Sequence, residues 1–144
     1  MRKRLAVFAL MALVVTALAA CNSSNPDAAA NDGVAAASTW LGLVDAGKYD
    51  DAWATSADEI KTAGPKEGFA KMMAQTRAPL GKETARTVKD KIYAKDPPNA
   101  SPGEYVQIHF NSSFENANST IELVTVKKQP DGVWKVGQYV VNPE

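Results

Sequence analysis

The sequence predicts an α+β domain in which three helices precede a four-stranded antiparallel sheet and pack on one face of it. Three observations support this class. Between residues 33 and 77, apolar side chains recur every three or four positions, which is the helical period. After Gly81 the period becomes two, as in strands with one buried face. Residues 129–132 then read Gln-Pro-Asp-Gly, a hairpin turn.

The three helices are marked by their apolar faces and by the residues that end them. The first helix has Asn31 and Asp32 as candidate caps and Gly47 as a stop. The second begins within residues 48–61, and the third follows Gly64-Pro65 and closes near Arg77, before Ala78-Pro79. Their apolar faces carry Val34, Ala37, Leu41 and Val44, then Tyr49, Ala52, Trp53 and Ile60, then Phe69, Met72 and Met73.

Four strands are predicted over residues 83–94, 104–114, 119–128 and 133–141. In the second strand Val106, Ile108 and Phe110 share one face, and Tyr105, Gln107, His109 and Asn111 share the other. In the fourth strand the same alternation puts Trp134 and Val136 on one face and Lys135 and Tyr139 on the other.

The first twenty residues have the three parts of a secretory signal peptide. Arg2, Lys3 and Arg4 precede an uncharged run over residues 5–20 that ends in small side chains. A helix that spans a bilayer needs roughly 20 apolar residues, so this run is short for a permanent span. We therefore expect residues 1–20 to be cleaved, residues 21–32 to form a flexible tether, and residues 33–144 to form one domain.

Cys21, the only cysteine, follows Leu18-Ala19-Ala20. This segment resembles the lipobox of bacterial lipoproteins, which implies a mature chain that begins at a lipidated Cys21. The alternative is an ordinary cleaved signal with an incidental cysteine. With one thiol, the chain can form no internal disulfide, no thiolate metal cluster and, once lipidated, no cysteine nucleophile.

The charge balance argues against nucleic-acid binding. The whole chain has 16 basic and 16 acidic residues, and removal of Arg2, Lys3 and Arg4 leaves 13 against 16, a net charge of −3. Nucleic-acid binding needs a basic surface. Residues 77–95 are locally basic, which predicts either contact with anionic headgroups or a solvated face.

Three motifs carry a family resemblance: WLGLVDAGKYDDAW at 40–53, RAPLG at 77–81, and the run from EYVQIHF at 104 to GVWKVGQYVV at 132–141. Together they are similar to the bacterial domain of unknown function 4019 family, a family of small exported or lipidated chains. The order of helices and strands also resembles the nuclear-transport-factor-2-like superfamily, which implies a cone-shaped fold with a pocket. The resemblance transfers no catalytic residue, because that superfamily includes both enzymes and binding modules.

Glu122 and Arg77 are candidate pocket residues. Glu122 shares a strand face with Val124 and Val126 but lies between Ile121 and Leu123, so the alternation leaves its direction open. A buried Glu122 would be a candidate general base. The simpler interpretation is a carboxylate at the pocket rim, paired with a lysine or arginine. Arg77 is predicted to satisfy the last carbonyls of the third helix at the corner of residues 78–81, or to pair with a nearby acid. Binding of a ligand anion is a weaker alternative.

Tyr105, His109 and Tyr139 are predicted to gather on the outer face of the sheet, as a possible interface. His109 is the only histidine. Its strand position predicts an exposed side chain rather than a general base or metal ligand. The sequence contains no phosphate-binding glycine loop, nucleophile elbow or metal cluster. No cofactor or metal site is therefore predicted.

The sequence predicts an exported protein that is lipid-anchored in the bacterial envelope. Asn22, rather than aspartate, follows the cysteine, which favours the outer over the inner membrane by resemblance to enterobacterial sorting. The expected role is a non-catalytic binding or scaffold module for a small apolar ligand or an envelope protein, with a homodimer as a further possibility. The alternative is an isomerase or hydro-lyase that uses Glu122 as general base and a tyrosine as hydrogen-bond donor.

Overall fold

The helices precede the strands along the chain, as the sequence predicts. The computed structural model describes residues 25–143. Its elements are α1 (Pro26–Asp45), α2 (Tyr49–Thr55), α3 (Asp58–Ala63), α4 (Lys66–Arg77), a 3-10 turn (Ala78–Leu80), β1 (Glu83–Lys95), β2 (Glu104–Phe114), β3 (Ala117–Lys128) and β4 (Trp134–Pro143). The predicted signal peptide over 1–20 and the lipidated Cys21 lie outside the described residues. Within residues 25–143, no helix is both long and apolar enough to cross a bilayer.

The four strands form one antiparallel sheet in the order β1-β2-β3-β4. Val106 of β2 pairs with Val126 of β3, and Val126 pairs in turn with Val136 of β4. All three valines are buried, so this row of the sheet faces the helices. The predicted α+β class and the four antiparallel strands are confirmed.

Helix α1 begins at Pro26, inside the segment predicted as a flexible tether. Asn25 caps it, since its Oδ1 accepts a hydrogen bond of 3.0 Å from the Asp27 N–H. Proline suits the first helical position, and the alanines that follow are the strongest helix formers. Ala29 and Ala30 are buried. The tether prediction for residues 26–32 is wrong, because the small side chains of this segment allow close packing of a helix.

The predicted second helix is two helices, with a break at Ser56. The backbone of Ser56 is extended (ψ 162°). The next N–H, that of Ala57, donates a hydrogen bond of 2.8 Å to the Val136 carbonyl of β4. The Ser56 hydroxyl accepts a hydrogen bond of 2.9 Å from Trp40 Nε1. These tertiary bonds redirect the chain, so α3 lies beside the edge of the sheet.

The space between the helices and the sheet is filled by side chains. Trp40 and Phe69 are both buried and meet edge to face, with ring centroids 6.3 Å apart. The backbone of α1 comes very close to β2 at Gly33, where a Cβ would lie 2.8 Å from Val106 Cβ. The buried apolar cluster comprises Ala30, Ala37, Trp40, Leu41, Val44, Ala52, Phe69, Met73, Val106, Ile108, Phe110, Val124, Val126 and Val136.

Strand β4 contains an irregularity that changes the direction of Tyr139. The register of β3 with β4 shifts so that Val126 pairs with Val136 while Thr125 pairs with Gln138, which leaves Gly137 as the extra residue. Beyond Gly137 the alternation is reversed. Tyr139 therefore faces the helices, with its ring centroid 5.4 Å from that of Trp40. The predicted outer-face position of Tyr139 is wrong.

Candidate functional site

A buried carboxylate, Glu122, lies at the centre of a polar cluster between the helices and the sheet. Its Oε1 accepts hydrogen bonds from Arg77 Nη1 at 3.0 Å and from the Tyr139 hydroxyl at 2.6 Å. Its Oε2 accepts from Arg86 Nε at 2.6 Å and from the Ser112 hydroxyl at 2.5 Å. The side chain is 0% exposed. Glu122 is thus fully buried. The simpler sequence interpretation, which placed this carboxylate at the rim of a pocket, is wrong.

Asp45, the last residue of α1, bridges the two arginines of this cluster. Its Oδ1 accepts from Arg77 Nη2 at 2.5 Å, and its Oδ2 accepts from Arg86 Nη1 at 2.7 Å. Two guanidinium groups and two carboxylates therefore balance in charge. We call Asp45, Arg77, Arg86, Ser112, Glu122 and Tyr139 the ionic cluster.

The ionic cluster ties separate elements together, since its members come from the ends of α1 and α4 and from all four strands. Arg77 is further packed over the ring of Phe114, with its Cζ 4.3 Å from the ring centroid. Planar guanidinium groups suit such sites because they donate several hydrogen bonds in fixed directions while stacking on a ring.

The surroundings fix the protonation of two members of the ionic cluster. Burial by itself would lower the pKa of Arg86, but hydrogen bonds to Asp45 and Glu122 raise that pKa above its usual value. Burial raises the pKa of Tyr139 well above its usual value, and the negative charge of Glu122 adds to the effect. Tyr139 therefore stays a neutral hydroxyl that donates to Glu122, and Arg86 stays charged.

The ionic cluster is chemically closed in this conformation. A general base must reach the proton that it abstracts, directly or through one water. Both oxygens of Glu122 are already engaged by four donors and neither is exposed. The cluster as it stands can fix the relative positions of helices and strands, but it offers no accessible lone pair to a substrate.

An open apolar cleft lies on the other side of Tyr139. It is bounded by α3, α4 and the Gly137–Tyr139 part of β4, and its volume is about 440 Å³. We call it the α3–α4 cleft. Apolar side chains dominate its lining, and the polar ones are Glu59, Gln138 and Tyr139. Met72 on the wall of the cleft is 52% exposed, although the helical period places it on the apolar face of its helix. The apolar lining consists of Ile60, Ala63, Pro65, Phe69, Met72 and Met73.

The remaining two candidate residues lie on the outer face of the sheet, apart from Tyr139. His109 Nδ1 lies 2.6 Å from Asp90 Oδ1 of the neighbouring strand, and the side chain is 30% exposed. The Tyr105 hydroxyl donates to the Ser101 carbonyl at 2.7 Å. The five predicted residues thus divide in two: Arg77, Glu122 and Tyr139 meet in the ionic cluster, whereas Tyr105 and His109 do not.

A salt bridge crosses the edge of the sheet beside the α3–α4 cleft. Lys127 Nζ of β3 lies 2.7 Å from Glu59 Oε1 of α3. Hydrogen bonding to Glu59 raises the pKa of Lys127. Burial tends to raise the pKa of Glu59, but the hydrogen bond from Lys127 and its charge lower that pKa overall. Both side chains are partly exposed, so this pair contributes little to stability.

Sequence reasoning missed Asp45, Arg86 and Ser112. Arg86 belongs to the locally basic stretch of residues 77–95, and that composition does not indicate which side chains point inwards. The weak alternation of the first strand was the available signal for Arg86, because it means that a charged residue occupies an inward-facing position. In the part of the chain that the structure describes, no three His, Cys, Asp or Glu side chains converge as metal ligands.

Comparison with known proteins identifies the family of the chain. No curated protein and no solved structure matches the chain. A family model described as "Protein of unknown function (DUF4019)" matches residues 36–139, which span α1 from Ala36, the other helices, and the sheet as far as Tyr139. Both the ionic cluster and the α3–α4 cleft lie within this range, and the chain belongs to the DUF4019 family.

Proposed function

We propose that this protein is a lipid-anchored domain of the bacterial envelope that binds a small apolar ligand in the α3–α4 cleft without chemical conversion. The α3–α4 cleft is the observation that carries the proposal. Small-molecule sites are concave, of roughly 300–1,000 Å³, and mostly apolar with a few polar groups. The cleft has a volume of about 440 Å³ and combines an apolar lining with Glu59, Gln138 and Tyr139.

The shape of the cleft favours a ligand with an aromatic or branched apolar body. Phe69 and the Tyr139 ring offer flat surfaces, and the half-exposed Met72 offers a flexible one. Methionine adapts its shape to different apolar partners, and its sulfur makes favourable contacts with rings. Gly68 and Gly137 line the cleft without side chains that would fill it.

Catalysis by Glu122 is the second candidate function, and one observation favours it. Tyr139 lines the cleft and its hydroxyl donates to Glu122, so an acid and a tyrosine do converge, as an isomerase or hydro-lyase would need. Access to Glu122 would require Tyr139 to leave a bond of 2.6 Å and would uncover a carboxylate that two arginines already neutralise. Binding without catalysis needs neither change, so we prefer it.

Export and anchoring rest on the sequence. Cys21 follows a basic start, an apolar run and small residues, which is the arrangement of a lipidated signal. Two or three acyl chains hold a protein firmly on a membrane, whereas one holds it marginally. The finer proposal of a nuclear-transport-factor-2-like cone is supported by helices on one face of a single antiparallel sheet.

The ligand test measures binding of N-phenyl-1-naphthylamine, a neutral apolar dye that brightens in apolar surroundings. The mature chain with Cys21→Ala is used so that no detergent competes for the dye. We expect saturable binding, and Met72→Glu should weaken it about ten-fold because it places a charge on the apolar wall. The matched control is Val88→Glu on β1, a similarly exposed apolar residue away from the cleft.

Saturable binding that Met72→Glu weakens and Val88→Glu leaves unchanged would support the α3–α4 cleft. Binding that both variants change equally, or no saturable binding, would contradict it. The anchor has its own test, which is fractionation of cells that express the native chain or Cys21→Ala, with mass spectrometry of the mature amino terminus. We expect an acylated Cys21 in the membrane fraction and release of the variant.

A further inference from the structure

We infer that one end of this domain lies against the lipid bilayer. This end consists of the first turns of α1, the loop of residues 96–103, and the turn of residues 129–133, and we call it the proximal end. The inference rests on the lipid anchor proposed at Cys21. It adds an interaction surface and its partner, which the anchor alone does not specify.

The first step is the distance between the anchor and the fold. Helix α1 begins at Pro26, only five residues after Cys21. Consecutive residues advance at most about 3.6 Å, so Pro26 lies within about 18 Å of Cys21 in any conformation. A flexible tether over residues 21–32 would have let the domain move considerably farther from the membrane. The observed start holds it close to the membrane.

The second step is to locate the start of α1 on the domain. Gly33 touches Val106, which is near the beginning of β2, and Asn31 accepts a hydrogen bond from Lys91, near the end of β1. The residues that join those two strands are 96–103. Asp32 borders a groove together with Gly132 and Val133 of the turn between β3 and β4. All three segments therefore lie at one end of the molecule.

The third step is the chemistry of the proximal end. Val133 at the turn is 51% exposed, and Trp134 follows it. The ammonium of Lys128 lies 5.8 Å from the centroid of the Trp134 ring. An exposed apolar tip beside an indole and the long stem of a lysine suits the boundary between headgroups and acyl chains. The three segments of the proximal end carry four aspartates and no lysine or arginine. The contact should therefore not require anionic lipid.

The basic stretch of residues 77–95 is a weaker candidate for the membrane side. Its two arginines point inwards, where Arg77 and Arg86 bind Asp45 and Glu122. Arg86 lies near the start of β1, at the end of the sheet opposite the proximal end, whereas Lys91 and Lys95 lie near the proximal end. The stretch therefore presents less positive charge to a membrane than its sequence suggests.

The test measures the depth of single reporters in the native lipidated protein on phosphatidylcholine vesicles. Lipidation consumes the only native thiol, so an introduced cysteine can be labelled selectively with a bimane fluorophore. The reporter is Val133→Cys and the matched control is Val88→Cys, since these valines are 51% and 43% exposed. Val88 is seven positions before Lys95 on β1, or about 23 Å along the strand. Ala100→Cys in the 96–103 loop is a second reporter, in case the first perturbs the turn.

We expect a nitroxide on the lipid headgroup to quench bimane several-fold more strongly at residues 133 and 100 than at residue 88. Equal quenching at all three positions, or stronger quenching at 88, would overturn the proposed orientation and leave ligand binding in the α3–α4 cleft unaffected. Mass spectrometry is done first on the same samples. A mature terminus without lipid would overturn both the anchor and the orientation.

Discussion

The hydroxyl of Tyr139 lies 2.6 Å from Glu122 Oε1 and 3.1 Å from Arg77 Nη1. This contact depends on the extra residue at Gly137, which turns Tyr139 towards the helices. The same tyrosine forms part of the wall of the α3–α4 cleft. One side chain therefore connects the open apolar cleft to the closed ionic cluster, so a ligand that moves Tyr139 also disturbs the ionic cluster.

Replacement of Tyr139 by phenylalanine should destabilise the fold. The variant keeps the ring against Trp40 but removes one donor from a buried carboxylate, which costs about 1–3 kcal/mol. The free energy of unfolding from urea titration measures the effect. Tyr105→Phe is the matched control, because its hydroxyl bonds to Ser101 at the exposed surface, and we expect a change within about 0.5 kcal/mol. Equal losses for the two variants would contradict the role given to Tyr139.

The stability of the native chain and that of Tyr139→Phe should depend differently on pH. The pKa of Tyr139 is raised in the fold, so the folded state holds its proton when the unfolded chain releases it near pH 10. The stability that this group contributes is complete below pH 10 and is lost as the pH rises further. The stability advantage of the native chain over Tyr139→Phe should shrink above pH 10, by at most about 1.4 kcal/mol per pH unit. A constant difference between pH 8 and pH 11 would contradict the buried hydroxyl.

The sequence predicted the element types well because periodicity reports burial directly. The helical period of α1 and α4 and the period of two in β2 and β3 reflect faces that are buried in the structure. In α3 and β1 the side chains are half-buried or exposed. The errors have tertiary causes. Ser56 ends α2 because its hydroxyl and the next N–H bind Trp40 and β4. No local propensity reveals those partners.

The ionic cluster was only partly predictable for a similar reason. Alternation left the direction of Glu122 open. Pairing with an acid was one of the alternatives for Arg77, which in the structure contacts Asp45 and Glu122. The direction of Tyr139 was wrong because one extra residue in a strand reverses every side chain beyond it. Gly137 was the available signal, since an isolated glycine within a strand often marks a bulge. Charge composition alone could not show that Arg86 and Asp45 meet across the fold.

A double-mutant cycle should show that the ionic cluster acts as a unit. Arg86→Met alone leaves buried negative charge without its partner, which costs about 3–5 kcal/mol. Asp45→Asn alone leaves excess positive charge and is also destabilising. The double variant keeps the balanced Arg77–Glu122 pair, so its loss should be less than the sum of the two by about 1–3 kcal/mol. Urea titration of the four proteins measures this coupling. Strictly additive losses would contradict a single charge-balanced cluster.

Two glycines of α1 should respond to alanine in opposite directions. At Gly33 an added Cβ would lie 2.8 Å from Val106 Cβ, so alanine must push α1 away from the sheet. Such overpacking costs about 1–3 kcal/mol. At Gly42 no atom of a neighbouring element within residues 25–143 lies within 4 Å of the added Cβ. Alanine there gains about 0.5–1 kcal/mol from helix propensity. Thermal unfolding of both variants measures the contrast, and a Gly33→Ala protein as stable as Gly42→Ala would show that α1 does not approach β2 so closely.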